Sequence, residues 1–249
     1  MNRLLSRSSA SRYWKLAGLA IVVVAAAYLA FIAPVPIPDT HSPTGASSVA
    51  EVNDWAAAGH TFRTERDGLS RIDVALSSLK PQEELDIKFY IREYEPTGPN
   101  LRVMKKKLTD LPAGKVMELY NRRWEELPWV TFEFEPLYGY EGRQLYFNIE
   151  GKDIPSENTV QVLIAYPNGY GIGEAYLSEK PSQGNLVFRT FTAGTTTQLL
   201  DSTFPLLAKD RPGILGQEWL YRGLFGGVLL AVVALFVSIA RLGPTGRSD

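Results

Sequence analysis

Two segments of this chain run for 18 residues without a charge, Leu16 to Ala33 near one end and Gly223 to Ala240 near the other. A helix needs roughly 20 apolar residues to cross the hydrocarbon core of a bilayer, so each predicts a transmembrane helix. Between them the hydrophobic period is two. Leu85, Ile87, Phe89 and Ile91 alternate with Asp86, Lys88, Tyr90 and Arg92; Val130, Phe132 and Phe134 alternate with Thr131, Glu133 and Glu135; Leu145, Phe147 and Ile149 alternate with Tyr146, Asn148 and Glu150. This is the pattern of half-buried strands. Ile72, Val74 and Leu76 predict another, as do Val160, Val162 and Ile164 and the run Leu186 to Phe191. Turn-forming breaks separate them, among them Pro96-Thr97-Gly98-Pro99, Tyr138-Gly139-Tyr140-Glu141-Gly142 and Pro167-Asn168-Gly169. Seven or more strands punctuated in this way predict an all-β antiparallel sandwich flanked by two transmembrane α-helices. The stretch Lys115 to Trp124 suits a short helix as well as a strand.

The pattern divides the chain into a basic tail (1–15), a first membrane helix (16–33), a Pro/Ser-rich spacer (34–50), a β-sandwich domain (51–208), a linker (209–222), a second membrane helix (223–240) and a short tail (241–249). The spacer, PVPIPDTHSPTGASSVA, favours extended, polyproline-like chain that lifts the domain off the membrane. Charge then sets the orientation. Arg3, Arg7, Arg12 and Lys15 precede the first apolar run, and Arg241 and Arg247 follow the second, the excess that holds tails in the cytoplasm. The expectation is a two-pass protein of the cell membrane with both termini cytoplasmic and the central domain outside.

Those six basic residues, out of 26 Lys and Arg, leave the intervening chain at about −6, since only Asp249 of the 27 Asp and Glu lies in a tail. An acidic exported domain argues against a nucleic-acid partner. Tyr13, Trp14, Trp219 and Tyr221 stand at the interfacial edges of the apolar runs, where amphipathic rings prefer to lie. The alternative for the first run is a cleaved signal peptide. Against it, the run exceeds the usual length of about 7–15 residues and no small-residue cleavage site closes it. Gly223 and Gly227 form a Gly-x-x-x-Gly step for close helix packing, with the chain's own first helix or with a partner subunit.

The absence of cysteine excludes a disulfide scaffold, a thiol nucleophile, an iron–sulfur cluster, c-type haem and Cys-ligated zinc. Only His41 and His60 offer imidazole, and His60 reads as an ordinary surface or strand-edge residue. No cofactor, metal or catalytic residue is expected, although loop carboxylates such as Asp67 and Glu174 leave calcium open. Glu133 and Glu135 share one strand face, as a solvated sheet surface does, rather than facing each other across a cleft as glycosidase carboxylates do. Gly171 and Gly173 lack the helix a phosphate loop needs.

Flat rings with polar tips suit sugar stacking and protein interfaces alike. Trp124, Trp129, Tyr138, Tyr140, Tyr146, Tyr166, Tyr170 and Tyr176 are many for one domain. The loop pair Tyr138 and Tyr140, with Arg143 beside it and Trp129 on the preceding strand, makes the candidate binding set.

The order of four pieces carries a resemblance: HTFRTERDGLSRIDVALSSL, then LDIKFYIRE, then WVTFEFEPLYGYEGRQLYFNIE, then YPNGYGIGEAYLSEKPSQGNLVFRTF. Over roughly residues 60 to 192 the chain resembles the extracytoplasmic, carbohydrate-binding-module-like jelly-roll domains associated with bacterial membrane glycosyltransferases and surface-polysaccharide proteins. The resemblance implies a jelly-roll fold and a non-catalytic role in cell-envelope glycan handling, with the bilayer and a glycan as partners. It implies no fixed ligand residues. The competing expectation is an accessory structural subunit of a larger membrane complex, energy-transducing or transporting, held through the helices and the exported domain.

Overall fold

The computed structural model describes residues 17–18, 21–22, 24–25, 28, 31–41, 46–82, 84–116, 127–166, 173–209 and 211–241. Thirteen strands follow one another: β1 (Val35–His41), β2 (Ala46–Val52), β3 (Ala58–Arg63), β4 (Leu69–Ser78), β5 (Asp86–Glu93), β6 (Asn100–Lys107), β7 (Trp129–Leu137), β8 (Gln144–Glu150), β9 (Val160–Ala165), β10 (Ala175–Leu177), β11 (Lys180–Ser182), β12 (Asn185–Leu186) and β13 (Phe188–Gly194). Two α-helices follow them among the described residues, α1 (Thr196–Ala208) and α2 (Glu218–Arg241). The chain forms two compact units, one of Pro36–Ala193 and one of Met1–Val35 with Gly194–Asp249.

The first unit is built from two antiparallel sheets. In one, β11, β10, β3, β8, β5 and β6 lie side by side; the other joins β1, β13, β4, β9 and β12, with β2 on β9 and β7 on β4. The alternation read from the sequence is what packs them. Ile87, Phe89 and Ile91 of β5 and Leu145, Phe147 and Ile149 of β8 meet Ile72, Val74 and Leu76 of β4 and Val130 and Phe132 of β7 in one core. Phe89 and Phe132 stack across the two sheets with centroids 4.1 Å apart, and Phe147 meets Phe188 edge-on at 5.2 Å. Each such ring contributes roughly 2–3 kcal/mol by leaving water. At the open side, Lys106 of β6 donates to the Thr131 carbonyl at 2.9 Å and Arg102 to the Glu135 carbonyl at 3.2 Å, which occupies backbone acceptors of β7.

Three expectations are corrected. Residues 34–50 are not a spacer, because β1 and β2 are strands of the larger sheet with Ile37, Ala50 and Val52 buried. The prolines are tolerated because β1 ends the strand order, and Pro36 and Pro38 sit on its exposed positions. The β unit ends at Ala193 rather than 208, and Thr196–Ala208 is helical, capped by reciprocal bonds between Thr195 and Gln198. His60 is not a surface residue. It is fully buried, its ring tilted against Phe188 at 5.0 Å.

One helix among the described residues is long and apolar enough to cross a membrane, the 18-residue window Glu218–Leu235 of α2. In the other apolar run the described positions Ala17, Gly18, Ile21, Val22, Val24, Ala25, Tyr28 and Phe31 are helical and exposed, Ile32 and Ala33 form the turn that follows, and the remainder lies outside the described residues. So does most of Lys115 to Trp124. Among the described residues a side-chain carbon added at Gly223 or Gly227 would meet nothing within 4 Å.

Candidate functional site

The most distinctive surface feature grows from the turn between β2 and β3. Asn53 accepts the backbone N–H groups of Trp55 and Ala56 on its side-chain oxygen, both at 3.0 Å, and so closes an Asx turn. Asp54 N–H donates to the Ile154 carbonyl at 2.9 Å, which ties the turn to the loop after β8. The result is an indole projected into solvent, 83 % exposed. An indole offers a broad apolar face together with one polar N–H.

Trp55 lines a cleft of about 360 Å³. Three strand ends converge here, because Ala58 opens β3 opposite both Ile149 of β8 and Leu177 of β10. The β8 side supplies Asn148, Glu150 and, just beyond, Lys152; the tight β10–β11 turn supplies Glu179. In that turn Ser178 and Glu179 both take the left-handed conformation, with φ of 48° and 65°. Two-residue hairpins of this hand favour Asn and Gly, so the turn carries strain next to the cleft.

Two of the lining residues, Asn148 and Glu150, belong to a polar chain. Tyr146 donates its hydroxyl to Asn148 Oδ1 at 3.2 Å, Asn148 Nδ2 donates to Glu150 Oε1 at 2.7 Å, and Arg92 donates to the same oxygen at 3.3 Å. Tyr90 also bonds Glu150, and burial followed by that carboxylate pushes its hydroxyl above its ordinary range. Tyr146 lies flat across Gly59, where a methyl group would overlap its hydroxyl and the Phe147 carbonyl. Burial raises the Tyr146 hydroxyl far above its usual range, so it remains a donor at all physiological pH. Strand alternation put Tyr146 and Asn148 on a solvated face, yet both are buried, because the glycine beside them lets the tyrosine ring close over the sheet.

The cleft thus sets a bare indole beside the amide of Asn148, the carboxylates of Glu150 and Glu179 and the ammonium of Lys152.

The sequence-derived candidates fall elsewhere. Tyr138 is 67 % exposed, while Tyr140 is half-buried against the main core. Their loop is fixed by Asp67, which accepts from the N–H of Gly139 at 2.6 Å and of Tyr140 at 3.2 Å, and by Thr64, which donates to the Tyr140 carbonyl at 2.6 Å. Gly139 has φ of 82°, which glycine adopts freely. Arg143 reaches over the Tyr140 ring at 5.7 Å and pairs with Glu93 at 3.7 Å. This loop precedes β8 and the Trp55 cleft follows it. The two lie toward opposite ends of this seven-residue strand, whose ends are about 20 Å apart at roughly 3.3 Å per step.

Trp129 is at neither place. It starts β7, half-buried in a satellite cluster with Ala75, Leu163 and Val187, and the Arg189 guanidinium covers it at 4.4 Å. Glu133 and Glu135 are exposed on β7. Glu174 accepts the Tyr176 hydroxyl at 3.0 Å. Trp124, Tyr170 and Gly171 lie outside the described residues. Sequence reasoning passed over Trp55, though its signal was present: a tryptophan inside the polar turn Asn53-Asp54-Trp55, ahead of the first core strand, has no apolar neighbours in period.

His60 sits in the core. Its Nδ1 meets the Thr61 carbonyl at 2.5 Å and its Nε2 meets the Asn185 side chain at 2.9 Å, and burial holds its pKa below the usual 6.5. Among the described residues no three His, Asp or Glu side chains converge as metal ligands do. No family model matches this sequence, and no curated protein matches it.

Proposed function

We propose that this protein is a non-catalytic, two-pass membrane protein whose jelly-roll-like sandwich lies outside the cytoplasm and binds a glycan of the cell envelope. The observation that carries this reading is Trp55, exposed at the rim of a polar cleft in which Asn148 and Glu150 are held by hydrogen bonds. Stacking supplies affinity that tolerates variation in the sugar, and the Asn148–Glu150 pair supplies direction. Preset side chains lose little freedom on binding, which favours recognition of a polar ligand.

The topology supports the same reading. β1 and β13, the first and last strands of the β unit, are hydrogen-bonded neighbours, so the chain enters and leaves that unit at one sheet edge. Basic tails and an acidic middle fit an exported domain tethered by the apolar runs. Tethering two-dimensionally concentrates the site at the membrane, where a weak single-ring contact becomes useful through effective concentration.

A second reading, an accessory subunit of a larger membrane complex, is favoured by the Gly223 and Gly227 step of α2. One experiment separates the two. The full chain in nanodiscs is titrated with a panel of envelope oligosaccharides by calorimetry, beside a Trp55→Ala variant. Binding that weakens at least tenfold in the variant supports the glycan reading. No binding to any glycan, with a stoichiometric membrane protein recovered from mild-detergent extracts, leaves the accessory-subunit reading.

A further inference from the structure

We propose that the last turn of α1 and the turn that follows it form a foot seated in the membrane interface, on the headgroups of anionic lipid. The proposal rests on the reading that α2 crosses the bilayer. The first half of α1 exposes polar Gln198 and Asp201, whereas its end exposes Leu206, at 69 %, and Leu207. The 3-10 turn Gly213–Gly216 then exposes Ile214, at 59 %, and Leu215, and α2 opens with exposed Trp219. Five large apolar side chains lie bare within fourteen residues, directly before an apolar span.

Three contacts within this unit fix the depth of α1 along α2. Arg222, the last charge before the 18-residue apolar run, donates to Asp201 at 2.6 Å and lies over the Phe204 ring at 5.5 Å. One turn further in, Phe225 meets Phe204 at 6.2 Å. Phe225 belongs to the apolar run itself, so α1 is clipped at the level where hydrocarbon gives way to headgroups. At that depth a bare leucine face rests in the interface, as amphipathic surface helices do. Lys209 and Arg211 are exposed between the two apolar pairs, placed to meet lipid phosphates. Tyr221 donates to the Leu215 carbonyl at 2.9 Å and so holds the turn against the start of α2.

The absence of native cysteine makes the test direct. Single cysteines at Leu206, Ile214, Gln198 and Leu230 of the full chain are nitroxide-labelled, reconstituted into phosphatidylcholine vesicles containing phosphatidylglycerol, and their accessibility to oxygen and to a water-soluble nickel chelate is measured. The expected result is oxygen exposure at 206 and 214 with depths of about 5–10 Å, a deeper value at 230, and nickel exposure at 198. Nickel exposure at 206 and 214 with 230 in hydrocarbon overturns the foot while leaving the span. Protection from both reagents at 206 and 214 also overturns it, in favour of a protein contact. Nickel exposure at 230 removes the span and the foot together. Replacing Lys209 and Arg211 by Gln should shift the 206 label toward water only when phosphatidylglycerol is present; an unchanged depth overturns the anionic-lipid preference.

Discussion

Arg189 donates from Nε to Asp73 Oδ2 at 2.8 Å, the two residues standing directly opposite each other in the β4–β13 pairing. Arg71, two residues before Asp73 on the same strand, donates to both of its oxygens at 2.7 and 2.8 Å. Both guanidiniums stack on the Phe191 ring. Burial pushes the Asp73 carboxyl up, but the bonds from Arg71, Arg189 and Thr131 outweigh it and hold it below the usual carboxylate range. The cluster links β4, β13 and β7 on the outer face of the larger sheet.

Asp73→Asn therefore leaves two arginines facing a neutral amide, and should cost about 3 kcal/mol, the low end for breaking a buried pair, because both arginines keep partial access to water. Arg189→Ala should cost less, since Arg71 still pairs with Asp73. Because the carboxyl is depressed, its stabilisation is present above its unfolded pKa of roughly 4 and fades as pH falls below that value. Denaturation of the full chain in detergent, followed by the β-sheet circular dichroism signal, checks both. Equal costs for the two variants would contradict the shared-carboxylate geometry.

Between pH 4 and 6.5 two groups act in opposite directions. Burial raises the Asp39 carboxyl from 3.8 to about 6, with Glu65 adding to the rise and with the Glu65 backbone N–H, Thr190 and Arg66 opposing it; one of its oxygens is buried without a partner. The folded state thus holds that proton more tightly, and stability rises as pH falls from about 6 toward 4. His60, with its pKa lowered by burial, resists protonation when folded, so its contribution is lost as pH falls below 6.5. Asp39→Asn should raise stability at pH 7.5 by about 1 kcal/mol, discounted for partial exposure, and should unmask a steady fall below pH 6.5. A variant with the parent's pH profile would show that Asp39 does not ionise across this window.

The two loop tyrosines should part company. Tyr138→Ala removes an exposed ring and should change stability by less than about 0.5 kcal/mol. Tyr140→Ala opens the half-buried packing against the core and the Arg143 contact, and should cost about 1–2 kcal/mol. Thermal melting of each single variant decides; equal effects would mean that the loop moves as one rigid exposed piece.

Much of the architecture was legible in the sequence because it follows from period alone. The alternation around Phe89, Phe132 and Phe147 named the core face of β5, β7 and β8, since a strand places successive side chains on opposite sides whatever its neighbours are. The uncharged run of α2 was equally plain, because length and apolarity are additive along the chain. Local rules failed where a neighbouring strand decided the outcome. Prolines at 36 and 38 read as a spacer, but pairing beside β13 made that stretch an edge strand. Asp73 and Tyr146 occupy polar positions of the pattern, and each is buried because a residue distant in sequence, Arg189 or Gly59, supplies its partner or its space; His60, in period with Ala58 and Phe62, is accommodated on the core face by a bond to Asn185. Trp55 shows the converse: its exposure comes from an Asx turn, and its cleft exists only where β3, β8 and β10 end together, a meeting of segments more than 120 residues apart that no local period encodes.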